Sequence, residues 1–266
     1  MQYDYFDAHS HVTHGEYEGG IEPVPARMRA DKVGTISVGC DAESSKTAVA
    51  FAETHPGFYA TIGLHPTDAT TESFTDAVYG PMVDHPKVVG IGECGLDYFR
   101  LTGDPEVEKK RQRLEFEKQI VFAIDHLKPL MLHCRPSKGT MDAYEDALDM
   151  LEPLRGAING NVHFFVGDVH IARRFYDIDF TTSFTGVVTF AREYDEVVRF
   201  APVDMLLTET DTPYATPEPF RGKRNEPSHV KYVVSAIAQI TGLPEDKLKE
   251  QVVENALRVF AIPKES

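Results

Sequence analysis

The sequence predicts an α/β fold in which eight parallel strands and their helices close a (βα)8 TIM barrel, followed by a C-terminal helical extension. Apolar, β-branched runs recur eight times with helical segments between them, which is typical of βαβ units. The length of 266 residues suits one barrel. Because no fixed-period repeat or long linker divides the chain, we expect a single domain over residues 1–266.

The predicted strands are short runs rich in Val, Ile and aromatic residues. They cover residues 5–12, 34–40, 58–65, 88–95, 129–135, 158–164, 179–185 and 205–211. The alternative is an open doubly wound sheet, which usually has fewer strands and a glycine-rich phosphate loop after the first strand. Here the first strand ends in His9-Ser10-His11 without such a loop, which favours the barrel.

Helical periodicity lies between these strands and after the last one. The clearest helices are 42–55, 105–126, 138–151, 193–200, 228–241 and 245–260. Asp104 and Pro105 provide an N-cap and a first-position proline for the second of them. The longest irregular stretch, 212–227, contains four prolines and the basic cluster Arg221–Arg224. A long loop inside a compact domain is often functional.

Composition narrows the classes of function. The net charge of −15 argues against a broad basic surface for nucleic acid, although divalent ions can supply local positive charge in a nuclease. No apolar run reaches the roughly 18 residues of a membrane span, so no membrane contact is expected. Three widely spaced cysteines and the lack of a secretory signal predict a cytoplasmic protein. Nothing indicates an obligate protein partner.

Imidazoles and carboxylates stand at the C-terminal ends of five predicted strands, where barrel enzymes place their chemistry. Asp7, His9 and His11 share one face of the first strand, because alternate residues point the same way. Each residue singly is also explained as a polar strand end in water, but the whole set is typical of a metal site. The set is His9, His11, Glu93, His133, His163 and Asp211, with His65 as a further candidate.

These donors exceed the roughly three protein ligands of one catalytic ion. We therefore expect two divalent metal ions, with Glu93 as the carboxylate that bridges them. Such a pair lowers the pKa of a bound water and stabilises the attacking and leaving oxygens. Asp211 is placed to take the proton of that water, so Glu93 and Asp211 are the predicted catalytic residues. Histidine ligands favour Zn, Mn, Co or Ni over Mg.

Other polar residues near these positions have two explanations. Asp7 and Glu209 lie one layer deeper on their strands, where they either orient ligands or serve as plain buried hydrogen-bond partners. Cys94 and Cys134 each neighbour a predicted ligand, so strand alternation directs them outward into the core.

Eight motifs follow one another along nearly the whole chain. They are Asp7-Ala8-His9-Ser10-His11, Gly63-Leu64-His65-Pro66, Ile91-Gly92-Glu93-Cys94-Gly95-Leu96-Asp97-Tyr98, Leu132-His133-Cys134-Arg135, His163-Phe164-Phe165-Val166-Gly167, Glu209-Thr210-Asp211-Thr212-Pro213-Tyr214, Arg221-Gly222-Lys223-Arg224-Asn225-Glu226-Pro227 and Asn255-Ala256-Leu257-Arg258-Val259-Phe260. Together they resemble the TatD family of metal-dependent deoxyribonucleases, within the amidohydrolase-like barrels. The resemblance implies that the six strand-end residues are metal ligands, that His65 lines the substrate site, that Mg supports activity, and that DNA phosphodiesters are hydrolysed.

One motif departs from the family pattern. The family usually follows the strand-6 histidine with Cys-Phe-Ser-Gly, whereas this chain has Phe164-Phe165-Val166-Gly167. Val166 replaces the small polar residue expected near the substrate, so contacts from this loop are expected to differ.

Several residues outside the ligand set are candidates to bind substrate. Arg135 lies two residues beyond His133 with the same parity, and Tyr98 follows a ligand strand. Arg224 belongs to the basic cluster after strand 8, which is either a phosphate contact, a solvated loop, or a loop anchored by Asn225-Glu226. With His65, these residues form the predicted substrate site.

Three functions are compared. The leading hypothesis is a two-metal hydrolase that cleaves phosphodiester bonds, with DNA as the partner. The alternative keeps the metals and changes the bond to an amide, an ester or a small-molecule phosphoester, which the charge of −15 and Val166 favour. The third is a catalytically silent binding protein, against which the intact set of donors argues.

Overall fold

Eight parallel strands follow one another around one sheet in sequence order. The computed structural model describes residues 3–13, 23–68 and 72–264. The strands are β1 (Tyr5–Ser10), β2 (Val33–Val38), β3 (Phe58–Ile62), β4 (Val88–Asp97), β5 (Leu130–Arg135), β6 (Gly160–His163), β7 (Phe180–Phe184) and β8 (Leu206–Thr208). Backbone hydrogen bonds close the ring beyond β8, from Asp211 N to His9 O at 3.0 Å and from His11 N to Thr212 O at 2.8 Å. The predicted TIM barrel is confirmed.

Helices alternate with the strands around the barrel. Within the described residues they are α1 (Pro23–Asp31), α2 (Ala42–Thr54), α3 (Asp76–Val83), α4 (Pro105–Asp125), α5 (Asp142–Leu151), α6 (Val169–Tyr176), α7 (Asp195–Phe200), α8 (Val230–Thr241) and α9 (Glu245–Val259). The sequence patterns did not predict α1, α3 and α6. α1 and α6 span only nine and eight residues, and Pro81 lies inside α3, so their periodicity is weak.

The C-terminal helical extension is present, and α9 covers the end of the barrel away from the predicted ligands. Its Ala256, Val259 and neighbouring Phe260 form one buried cluster with side chains from six strands. Those strand residues include Phe6 and Val89, which precede His9 and Glu93 on their strands. Asn255 also donates to the carbonyl of Leu206 at 2.8 Å, which fixes α9 to β8.

Across residues 3–13, 23–68 and 72–264, no helix combines the length and apolar character needed to cross a bilayer.

Candidate metal centre

The six predicted ligands converge at the C-terminal end of the barrel. Parallel strands bring their carboxyl ends to one rim, so residues far apart in sequence meet there. Five of the six ligands are buried, with exposure from 0% for His9 to 7% for Asp211, and His133 is partly buried. The set is His9, His11, Glu93, His133, His163 and Asp211.

One group of donors surrounds a single oxygen of Glu93. Glu93 Oε2 lies 3.6 Å from His9 Nε2 and 3.3 Å from His11 Nε2. The two ring nitrogens are 3.1 Å apart. Asp211 Oδ1 completes the group at 3.8 Å from His9 and 3.6 Å from His11. The nitrogens of His9 and His11 therefore each lie within 3.8 Å of one Glu93 oxygen and one Asp211 oxygen.

A second group surrounds the other oxygen. Glu93 Oε1 lies 2.7 Å from His133 Nδ1 and 2.9 Å from His163 Nε2. His65 Nε2 approaches the same oxygen at 3.5 Å. The His163 ring stacks on the His9 ring, with centroids 3.7 Å apart, so the two groups share one continuous wall. Glu93 thus presents one oxygen to each group.

Electrostatics favours an ionised Glu93. Burial by itself opposes ionisation of this carboxyl, but the surrounding imidazoles, His163 and His65 foremost, hold its pKa well below the usual range. Burial lowers the pKa of His65 to about 3, so its ring is neutral near pH 7. Burial also raises the pKa of Asp211 to about 6. Burial also lowers the pKa of His9 well below its usual range, whereas Glu93 outweighs burial and raises the pKa of His11 and of His163.

This donor set fits divalent metal ions. Buried imidazole nitrogens and carboxylate oxygens are the usual ligands of Zn and related ions. The three groupings that could hold an ion are His9, His11 and Glu93; His9, His163 and Asp211; and His65, Glu93 and His133. His9 Nδ1 is buried without a hydrogen-bond partner in the part of the chain described. The polar contacts of the ring are therefore those of Nε2, which faces Glu93 and Asp211.

Comparison with known proteins agrees with this geometry. The family model described as TatD related DNase matches residues 6–261. The chain belongs to the TatD-related DNase family. It is a metal-dependent hydrolase of that family, as the fold and the donor chemistry lead one to expect. The family predicted from the sequence motifs is confirmed.

Individual relatives of this TatD-family chain extend over nearly its full length. The metal-dependent hydrolase YabD of Bacillus subtilis is 38% identical over 262 residues, 97% of this chain and 99% of its own. The 3'-5' ssDNA/RNA exonuclease TatD of Klebsiella pneumoniae is 31% identical over 268 residues, with coverages of 97% and 98%. The crystal structure of YJJV, a TatD homologue from Escherichia coli, superposes with a TM-score of 0.85 at 25% identity, covering 98% of this chain and 99% of that one.

Asp211 is held in place by the first strand. β8 ends at Thr208, three residues before Asp211, which has a left-handed backbone with φ of 51°. Asp7 fixes the intervening residue, because its carboxylate accepts hydrogen bonds from Thr210 N and Thr210 Oγ1, each at 2.7 Å. Asp7 is thus a buried hydrogen-bond partner that positions the approach to Asp211, rather than a direct contact of the histidine rings.

Glu209 has the orienting role that the sequence left open. Its Oε1 lies 3.5 Å from His163 Nδ1 and accepts a 2.6 Å hydrogen bond from Phe164 N. Its other oxygen accepts from Ser183 Oγ at 2.5 Å. Glu209 therefore faces His163 from the side opposite Glu93 at ion-pair rather than hydrogen-bond distance, in the position that outer carboxylates take beside metal-binding histidines.

Asp97 and Cys40 are part of the centre, and the sequence analysis missed both. Asp97 Oδ2 lies 3.2 Å from His133 Nε2, the nitrogen that faces away from Glu93. Cys40 Sγ lies 3.7 Å from Glu93 Oε2. β4 continues to Asp97, two residues beyond its predicted end, so the alternation that selects Glu93 also selects Asp97. Cys40 follows β2, and as a thiol it is neither of the two donor types, imidazole and carboxylate, that define the predicted set.

Replacing Asp97 with asparagine is expected to weaken metal binding by about 10- to 100-fold, the usual effect of losing an outer carboxylate. Asparagine keeps the size of the side chain but no longer holds His133 by charge. Metal titration of the metal-free protein measures the change. Asp246→Asn, at an exposed position of α9, is the control, and equal affinities of the two variants would contradict the role of Asp97.

The centre opens into a large cavity of about 1260 Å³. His65 and Arg135, two of the predicted substrate contacts, line it. Val166 lines it as well, so the departure from the family motif faces the space where a substrate would lie.

Tyr98 and Arg224, the other two predicted substrate contacts, do not line this cavity. Tyr98 is 3% exposed, and its hydroxyl donates to Asp146 at 2.7 Å on the helix side of the barrel. Arg224 is not among the residues that line the cavity. Tyr98 follows the inward-facing Asp97, so alternation points it outward. The neighbouring Phe99 lines the cavity in its place.

The basic cluster lies on a loop that is anchored internally. Asn225 is fully buried, and its Nδ2 donates to Thr210 O at 2.8 Å and to Tyr214 O at 2.6 Å. Glu226 pairs with Arg27, accepting from Nε at 2.8 Å. The Asn225-Glu226 anchor, one of the alternatives considered from sequence, is therefore present. Cys94 and Cys134 are buried in the apolar core, as expected.

Proposed function

We propose that this TatD-family hydrolase cleaves phosphodiester bonds of DNA, using water activated between two divalent metal ions. The observation that carries the proposal is the division of Glu93 between two donor groups, with one oxygen toward His9 and His11 and the other toward His133 and His163. A bridging carboxylate between two sets of nitrogen ligands suits a pair of ions. Such ions, when bound, supply an activated water and neutralise charge on the attacking and leaving oxygens.

Different side chains would bind the metal ions, accept the proton and contact the substrate. His9 and His11, with Asp211, would hold an ion at the first position, and His133 and His163 would hold one at the second. Asp211 lies at the edge of its group with 11% side-chain exposure, so its carboxylate reaches the cavity and accepts the proton of the attacking water. His65 reaches Glu93 from the cavity wall at 3.5 Å and contacts a phosphate oxygen of the substrate.

Positive charge on the cavity wall supports an anionic substrate. Arg135 and Lys138 line the cavity, and neither forms an ion pair with a carboxylate in the described part of the chain. Although the whole chain has a net charge of −15, these two cations lie on the wall of the cavity itself. They suit phosphate groups, which arginine and lysine bind by charge-assisted hydrogen bonds.

The relatives suggest which polynucleotide to test first. The Klebsiella pneumoniae relative is a 3'-5' exonuclease of single-stranded DNA and RNA. We therefore propose single-stranded DNA as the first substrate, with RNA and duplex DNA beside it.

Removal of metal is expected to abolish hydrolysis, because the activated water depends on it. The protein is treated with a chelator, dialysed, and supplied separately with Mg, Mn, Co, Ni or Zn. Degradation of end-labelled single-stranded DNA, duplex DNA and RNA is followed on gels. We expect no activity after chelation and recovery with at least one ion.

A Glu93→Gln protein purified in parallel controls for contaminating nuclease. If the metal-loaded wild-type protein degrades none of the three polynucleotides, the proposal is wrong.

A second candidate function is hydrolysis of an amide, an ester or a small phosphoester at the same centre. Val166 on the cavity wall favours it, since an apolar side chain stands where the family pattern has a small polar one. A substrate panel separates the two functions. Turnover of small substrates with no turnover of polynucleotides would favour the second.

A further inference from the structure

Phe99 is an exposed aromatic ring on the wall of the cavity. Among the large apolar side chains that residues 3–13, 23–68 and 72–264 leave exposed, two are aromatic: Phe99 at 52% and Tyr214 at 59%. Both line the cavity above the metal centre. Scattered exposed aliphatic residues are ordinary on a protein surface. The confinement of both exposed aromatics to this cavity indicates that it receives a flat, apolar group.

The position of Phe99 is fixed relative to the metal centre. Its backbone N donates to Asp97 Oδ1 at 3.1 Å. The other oxygen of the same carboxylate lies 3.2 Å from His133 Nε2. One buried side chain thus holds both a predicted ligand and the residue that carries the ring. A group stacked on Phe99 would therefore be held at a defined place relative to the donors.

Arg135 adds a charge beside this ring. Its guanidinium lies 4.3 Å from the centroid of Phe99, within the range of a cation–π contact. That contact leaves the N–H donors of the guanidinium available to an anion. A flat apolar surface next to a cation matches the two parts of a nucleotide, a base and its phosphate.

We propose that Phe99, packed against Arg135, is a stacking site for an unpaired nucleobase of the substrate. The proposal rests on the proposed nuclease function and adds the residue that recognises the base. The base is unpaired because both faces of a base inside a duplex are covered by its neighbours, whereas a single strand offers them to aromatic side chains. Any base has such a face, so the site discriminates strand state rather than sequence.

The experiment compares two single-stranded substrates that differ only in their bases. One is a short oligothymidylate, and the other has the same backbone with abasic residues throughout. Phe99→Ala is expected to raise KM for the oligothymidylate by about 5- to 100-fold, the range associated with loss of one stacked base. KM for the abasic strand should stay the same, because its phosphates contact Arg135 and the metal centre in both proteins.

Two variants control the comparison. Phe99→Trp keeps an aromatic face and should retain the wild-type KM for oligothymidylate. Leu114→Ala removes another exposed apolar side chain, 49% exposed on α4, and should change neither KM. If Phe99→Ala raises KM equally for both strands, or for neither, the proposal that Phe99 stacks on a base is wrong.

Direct binding separates this proposal from the nuclease proposal. Fluorescence anisotropy at fixed salt gives the Kd of the metal-loaded protein for each labelled strand, whether or not it is cleaved. The wild-type protein should bind oligothymidylate more tightly than the abasic strand, and Phe99→Ala should remove the difference. Such a result with no hydrolysis would overturn the nuclease function and keep the stacking site. Equal affinity of the wild-type protein for both strands would overturn the stacking site itself.

Discussion

Replacing Glu93 with glutamine is expected to reduce hydrolysis by more than about 100-fold, beyond the effect of removing an outer partner of a ligand. Glutamine has the same shape but offers one oxygen and one NH2 group, and the NH2 group cannot bind a cation. Since the two oxygens of Glu93 face different donor groups, one group must lose the oxygen that Glu93 presents to it. The metal content should therefore fall from two ions per chain to one or fewer.

Steady-state kinetics and elemental analysis of the same preparations test this prediction. Glu250→Gln, at an exposed position of α9, removes the same charge far from the cavity and should leave both quantities unchanged. Full metal content with nearly normal turnover in Glu93→Gln would contradict the bridging role. A circular dichroism spectrum of Glu93→Gln equal to that of the wild-type protein would show that the barrel of the variant is folded.

Most of the fold was predictable because its signals are local. Most strands of the barrel are short runs of apolar and β-branched residues, and each of the six predicted helices has its own apolar stripe or terminal signal. β8 ends at Thr208 and not at residue 211 as predicted, and this difference has a tertiary cause. Residues 209–211 look like a continuation of the strand, but the carboxylate of Asp7 and the carbonyl of His9 bind their backbone instead. A contact across 203 positions of sequence leaves no mark in a local pattern.

The convergence of the donors was predictable for a different reason. Parallel topology brings all strand ends to one rim, so listing the imidazoles and carboxylates at those ends is enough. The walls of the cavity do not follow from this rule. Phe99 and Tyr98 are neighbours, and one residue of β4 decides which of them faces the cavity. The predicted strand ends at residue 95, before Asp97. The alternation of that strand therefore gives no prediction of which neighbouring residue, Tyr98 or Phe99, faces the cavity.

The structure also reconciles the acidic charge of the chain with an anionic substrate. Glu93 and Asp211 face imidazoles and are placed to hold cations, so they add little net negative charge to a loaded centre. Arg135 and Lys138 stand at the cavity without carboxylate partners among the described residues. The charge that the substrate meets is therefore local. The net charge of −15 is a sum over the whole chain, whereas these two cations lie on the cavity wall.

Asp211→Asn is expected to lower kcat by about 10²- to 10⁴-fold, the contribution of a general base, while most of the metal stays bound. Asparagine is tolerated in the left-handed conformation of this residue, where φ is 51°. Its amide oxygen can still face His9 and His11. What asparagine cannot do is accept the proton of the attacking water, so the loss should fall on kcat and leave KM nearly constant.

The measurement pairs kcat and KM on single-stranded DNA with the metal content of each preparation. Asp246→Asn on α9 is the matched control, because the same substitution there lies far from the cavity. A parallel fall of activity and metal content would mean that Asp211 acts only as a ligand and that another group takes the proton. His65 would then be the next candidate, since it is the remaining imidazole that reaches Glu93 from the cavity wall. The bound metal thus distinguishes a missing base from a missing ligand.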